Sequence, residues 1–202
     1  DYVRGLEFRR VLFRSSGSGA DNWALDDTLI AQDDARPVVT LQPAGQRVNA
    51  GGTATLRVAA SGLAPLRYQW RRNGQDLLGA TGDTLTITNV QSADAGNYSV
   101  RVFNVIGSET STNALLQVNR APFVFSQAVT VDEDVPANIT LLAVDPEGDP
   151  LTYTVLTPPG HGALAGAAPN YTYLGTPNYF GPDGFSFRVS DGLLDSELRS
   201  EE

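Results

Sequence analysis

Trp70 and, further along, Asp94-Ala95-Gly96-Asn97-Tyr98-Ser99-Val100 decide how this chain folds. A tryptophan in one alternating stretch, followed about thirty residues later by a D-x-G-x-Y corner, marks a sandwich of two β-sheets. The neighbouring stretches read the same way. Leu56, Val58 and Ala60 alternate with Thr55, Arg57 and Ala59, and Leu66, Tyr68 and Trp70 alternate with Arg67, Gln69 and Arg71. Leu85 and Ile87 sit between threonines. Tyr98, Val100 and Val102 alternate with Asn97, Ser99 and Arg101, and Ala114, Leu116 and Val118 close the set. A period of two with one apolar face is what a sandwich wall requires. Asn73-Gly74 predicts a two-residue hairpin turn.

The whole chain of 202 residues is expected to be all-β, two consecutive antiparallel sandwiches with essentially no helix, because short Val, Thr, Leu and Tyr runs are broken throughout by Gly and Pro. With 41% hydrophobic and 18% charged residues it is globular in composition. A net charge of −9 argues against nucleic acid as a partner. No run approaches the ~18 apolar residues of a membrane helix, so no membrane insertion is expected. The absence of Cys excludes disulfides and thiolate metal sites. The absence of Met predicts an internal stretch of a longer protein. An all-Arg set of basic residues, with abundant Ala, Gly and Pro, points to a GC-rich genome.

Residues 37–119, with the pattern W…L-x-I-x-x-V-x-x-x-D-x-G-x-Y, resemble a bacterial immunoglobulin-like domain of the I-set type. The resemblance implies that Val58 and Val100 occupy the positions where such a domain carries its inter-sheet disulfide. It makes Val58, Trp70, Asp94, Tyr98 and Val100 the structural residues. Losing that bridge costs about 2–5 kcal/mol, and burying each Val returns roughly 1.5–3 kcal/mol. Val58 and Val100 against the Trp70 ring are therefore expected to replace the bond. The Tyr98 hydroxyl is expected to bond backbone a few residues upstream.

Residues 120–198 carry Arg120-Ala121-Pro122, Val131-Asp132-Glu133-Asp134, Asp145-Pro146-Glu147-Gly148-Asp149-Pro150-Leu151-Thr152-Tyr153, His161-Gly162 and Phe185-Ser186-Phe187-Arg188-Val189-Ser190-Asp191-Gly192. In that order they resemble a bacterial cadherin-like tandem repeat. Such a repeat continues into one more strand, so this one is expected to lack its last strand and to leave an unpaired edge. Asp145, Glu147 and Asp149 place three carboxylates on one turn, a donor set that suits a hard cation such as calcium. By resemblance, Asp145 and Glu147 match the cadherin D-x-D turn, and Glu133 matches its glutamate. A solvated acidic turn is the alternative. The linker Gln117-Val118-Asn119-Arg120-Ala121-Pro122 lacks the acids of a cadherin junction and puts Arg120 where a ligand would sit.

Residues 16–36 resemble the last strand of an upstream lectin-like or MAM-like jelly roll plus a linker, through Trp23, Leu25 and Leu29. Leu12-Phe13-Arg14-Ser15 can be encoded by the reverse complement of a sequence encoding the terminal Arg199-Ser200-Glu201-Glu202. Residues 1–15 and 199–202 are therefore expected to be adapter-derived, non-native tails.

His161 is the only histidine, in a Pro-Gly-His-Gly turn, and it is read as structural. No nucleophile elbow accompanies it, so no enzyme is expected. Arg67, Arg71 and Arg101 are expected to point outward from neighbouring strands, with Gln69 and Ser99 among them, as a local basic face that is either merely solvated or docks an acidic glycan or a neighbouring domain. The predicted function is a non-catalytic structural and adhesive module of a large extracellular bacterial surface protein. It would act as a spacer contacting protein or glycan, stiffened by calcium. The alternative is a carbohydrate-binding accessory region of a secreted polysaccharide-degrading enzyme. A spacer buries Trp70, Tyr98, Tyr153, Phe185 and Phe187, whereas a carbohydrate module lines exposed aromatics along one sheet face.

Overall fold

A computed structural model describes residues 36–132 and 134–201. The expectations for residues 1–15, for the jelly-roll strand with Trp23, Leu25 and Leu29, and for Glu133 lie outside the described residues. The described chain is all-β apart from one 3-10 turn, Ser92–Asp94.

The first sandwich contains β1 (Val38–Leu41), β2 (Gln46–Asn49), β3 (Ala54–Arg57), β4 (Ala59–Ser61), β5 (Arg67–Arg72), β6 (Gln75–Asp76), β7 (Thr84–Ile87), β8 (Gly96–Phe103), β9 (Ser108–Thr110) and β10 (Ala114–Asn119). One sheet runs β2-β10-β8-β5-β6, with β9 also on β8, and faces the pairs β1-β4 and β3-β7. One ladder departs from the expected antiparallel pairing: β2 runs parallel to β10, with Arg47 opposite Gln117 and Asn49 opposite Asn119.

Alternation along β3, β5, β8 and β10 sends Ala54, Leu56, Trp70, Tyr98, Val100, Val102, Ala114, Leu116 and Val118 into one core, joined by Val58. Trp70 is 0% exposed. Its indole Nε1 donates to the Gly82 carbonyl at 2.9 Å, which satisfies the polar edge of an otherwise apolar ring. Val58 and Val100 are both buried in the cluster that contains Trp70. Asn73 and Gly74 have φ of 50° and 82°, as a two-residue hairpin loop between β5 and β6 demands. Gly96 adopts φ +148°, and a Cβ there would stand 2.7 Å from Asn73 Oδ1, so only glycine lets β8 approach the hairpin.

The Tyr98 hydroxyl donates to the Asp94 carbonyl at 2.7 Å, four residues upstream. Asp94 in turn accepts the Gln91 amide at 2.9 Å and pairs with Arg72 at 3.3 Å. Replacing Tyr98 by Phe is expected to cost about 0.5–1.5 kcal/mol, the net worth of one such hydrogen bond. Urea unfolding monitored on the first sandwich measures it. A loss above about 3 kcal/mol would mean that the hydroxyl also maintains the packing of the corner.

The second sandwich contains β11 (Phe123–Phe125), β12 (Ala137–Thr140), β13 (Leu142–Val144), β14 (Thr152–Thr157), β15 (Gly162–Ala167), β16 (Asn170–Gly175), β17 (Phe185–Ser190) and β18 (Arg199–Glu201). The pairings are β11-β13, β12-β16-β15 and β14-β17-β18. Ile139, Leu141, Phe185, Phe187 and Val189 form a smaller core, with Tyr153, Tyr171 and Tyr173 packed at its border.

The expected bare edge is corrected here. Residues 199–201, read as a tail, pair antiparallel with β17, Phe187 opposite Arg199 and Phe185 opposite Glu201. The pairing uses backbone N–H and C=O groups, which any sequence reaching the edge can supply.

Candidate functional site

The polar side chains of interest gather where the first sandwich hands over to the second. Asp145 follows β13 and opens a tight turn. Its Oδ1 accepts the amides of Glu147 and Asp149, both at 2.9 Å. Gly148 at φ +81° completes that turn. Asp191 follows β17, and its Oδ1 accepts the amides of Leu193 and Leu194, both at 2.6 Å. One carboxylate oxygen each from Asp145, Asp149 and Asp191 lies within 4.8 Å of the others. Asp145 Oδ2 is shut off from solvent and has no hydrogen-bond partner. An unsatisfied buried oxygen is costly.

The first sandwich and its linker supply the opposite charges. Asn119, the last residue of β10, is 0% exposed. Its Nδ2 donates to Asp191 Oδ2 at 2.9 Å, and its Oδ1 accepts from Arg47 Nη2. Arg47 also forks onto Asp149, through Nη2 to Oδ2 and through Nη1 to Oδ1 at 3.3 Å. Arg120 takes both oxygens of Glu147, from its backbone N and from Nε, each at 2.9 Å.

Charges follow from these contacts. Burial alone would raise the Asp191 carboxyl. The Leu194 and Leu193 amides, Asn119 and Arg47 outweigh it and hold the group below its ordinary value. The hydrogen bond that Arg47 donates to Asp149 holds its guanidinium above its ordinary value.

Of the acids singled out in the sequence, Asp145 and Asp149 meet in this cluster. Glu147 is drawn away to Arg120, whose backbone N–H and guanidinium Nε–H together hold both of its oxygens. Asp191, Asn119 and Arg47 complete the site and were not picked out from the sequence. Asp191 had a signal, since its Asp-Gly turn ends the strand beside β14. Arg47 had none, being one outward residue of a short parallel strand.

The proposed basic face is partly neutralised. Arg67, Gln69 and Arg71 stand opposite Phe103, Arg101 and Ser99 across β5 and β8. Arg71 pairs with Asp76 at 2.6 Å, Arg101 lies 5.2 Å over the Phe103 ring, and Ser99 is buried. His161 stacks on Tyr179 with ring centroids 3.9 Å apart. Trp70, Tyr98, Phe185 and Phe187 are buried and Tyr153 is half-buried, whereas Phe123 and Phe125 on β11 are 61% and 52% exposed. Among the described residues no helix is long and apolar enough to cross a membrane.

Comparison with known proteins agrees with this architecture. Residues 36–104 match a family described as Immunoglobulin domain, and residues 119–197 match one described as Bacterial Ig domain. For the second sandwich the matching description is thus immunoglobulin-type, where the sequence motifs resembled a cadherin-like repeat. Endoglucanase C of Cellulomonas fimi is 33% identical over 121 residues, covering 58% of this chain and 11% of that protein. Roundabout homolog 1 of Mus musculus is 36% identical over 165 residues, covering 68% of this chain and 10% of that protein. The chain therefore spans about a tenth of the length of these two relatives. An I-band fragment from titin superposes with a TM-score of 0.57 at 17% identity, over 83% of this chain and 64% of that one, a likeness of fold. Immunoglobulin domains are typically non-catalytic structural modules, and the two described sandwiches are consecutive domains of this immunoglobulin type.

Proposed function

We propose that this tandem is a stiff spacer within a longer extracellular bacterial surface protein, holding neighbouring domains apart and offering its faces to protein or glycan partners. The observation that carries the reading is the buried Asn119, held on one side by Arg47 and on the other by Asp191. A fully buried polar side chain bonded to both domains resists bending, because opening the junction leaves its amide unsatisfied. The Arg120–Glu147 pair adds a second tether, worth little alone on a partly exposed surface.

Calcium belongs to the same reading. Asp145, Asp149 and Asp191 are hard oxygen donors suited to a divalent cation. The unpartnered Asp145 Oδ2 fits such an ion, with water completing the six to eight oxygens calcium takes. Bound there, the ion would offset two of the three carboxylate charges at the junction.

The chain has no Cys, so spin labels can be placed cleanly at Leu78→Cys and Phe180→Cys, both exposed positions on different domains. A single narrow distance distribution is expected. Asn119→Ala with Arg120→Ala should broaden it while both domains stay folded. A broad distribution in the parent chain would sink the spacer reading.

The carbohydrate-accessory reading keeps one specific support, the exposed Phe123 and Phe125 two residues apart on β11. Retention on insoluble cellulose, lost on Phe123→Ala with Phe125→Ala, would favour it over a pure spacer.

A further inference from the structure

We infer that Arg47 is a tethered counter-cation that competes with a divalent cation for the Asp145–Asp149–Asp191 cluster. The inference rests on the calcium reading above and adds its regulation. Three carboxylates converge there. The guanidinium of Arg120 is taken by Glu147, which leaves Arg47, among the described residues, as the cation that reaches the cluster from the first domain. Arg47 covers both oxygens of Asp149, one of which an ion at this cluster would use. It does not reach Asp145 Oδ2, which stays buried and unpartnered. One positive charge against three negative ones leaves the cluster about two charges short.

An entering divalent ion claims an Asp149 oxygen that Arg47 holds, so Arg47 must loosen its fork on Asp149 as the ion binds. Arg47 sits on β2 of the first domain and the carboxylates sit on the second. Ion occupancy thus exchanges a side-chain tether between domains for a metal centre. The side chains of Arg47 and Asp149 are 34% and 22% exposed, so solvent can reach the pair and the arginine has somewhere to go.

The test titrates calcium chloride into the full chain by isothermal calorimetry, with thermal melts in parallel. Arg47→Gln is expected to bind calcium about tenfold more tightly than the parent, the scale of one charge-assisted hydrogen bond removed from competition. Arg47→Lys, which keeps the charge, should stay close to the parent. Asp191→Asn in the Arg47→Gln background should abolish binding. Equal affinity in the parent and Arg47→Gln overturns the competition while leaving the calcium site standing. No binding by any variant up to about 10 mM, above the range of extracellular calcium modules, overturns both. Should Arg47→Gln lower the melting temperature, the parent still decides. Its Arg47 Nε–H resonance should move as calcium saturates, and a resonance that stays fixed while the ion binds rejects the exchange.

Discussion

Trp70→Ala is expected to unfold the first domain near room temperature while the second stays folded. The side chain is fully buried among Leu56, Val58, Tyr98 and Val100, and truncating a buried aromatic to Ala typically costs about 3–5 kcal/mol. The Gly82 carbonyl also loses its indole donor. A domain of this size has only about 4–12 kcal/mol in total. Here no covalent bridge limits the unfolded ensemble, because the chain has no Cys. Chemical-shift dispersion of the two domains, followed through a urea titration, measures the loss domain by domain. A loss below about 1 kcal/mol would mean that the Trp does not organise this core.

Phe187→Ala should do the converse. Phe187 is fully buried on β17, at the centre of a core of only five buried apolar side chains in the second domain. The same 3–5 kcal/mol range, roughly, is a larger share of that core's total. The second domain is expected to melt first and the first to survive. Because unfolding the second domain removes Asp149, Glu147 and Asp191 from Arg47, Arg120 and Asn119, the first domain should lose a little stability too. Partly exposed ion pairs contribute about 0–1 kcal/mol each, so that loss is small beside the direct one. Simultaneous unfolding of both domains in either variant would show that the junction couples them far more strongly than these contacts allow.

Much of the first domain was legible because its signals are local. Alternation assigns Leu56, Trp70, Val100 and Leu116 to one face through the two-residue period of a strand. Asn73-Gly74 and Gly96 announce the backbone conformations they alone tolerate. The Tyr98 corner closes over four residues. The candidate site was legible only by halves. Asp145 and Asp149 lie on one turn and could be read together, but the fate of Glu147 depended on where Arg120 would point.

The alternation of apolar residues, the turn residues and the Trp-to-Tyr spacing determined by themselves that this chain builds β-sandwiches without disulfides. Their physics is short-range: pleat, φ preference and burial of one face. Tertiary structure alone decided the junction. It laid β2 parallel to β10 and so carried Arg47 to Asn119 and Asp149, 72 and 102 residues away. It also set Asp191 beside Asp145 and paired β18 onto β17. Charge pairing of this kind is set by distances between separate loops, and no local period or spacing in the sequence encodes those distances.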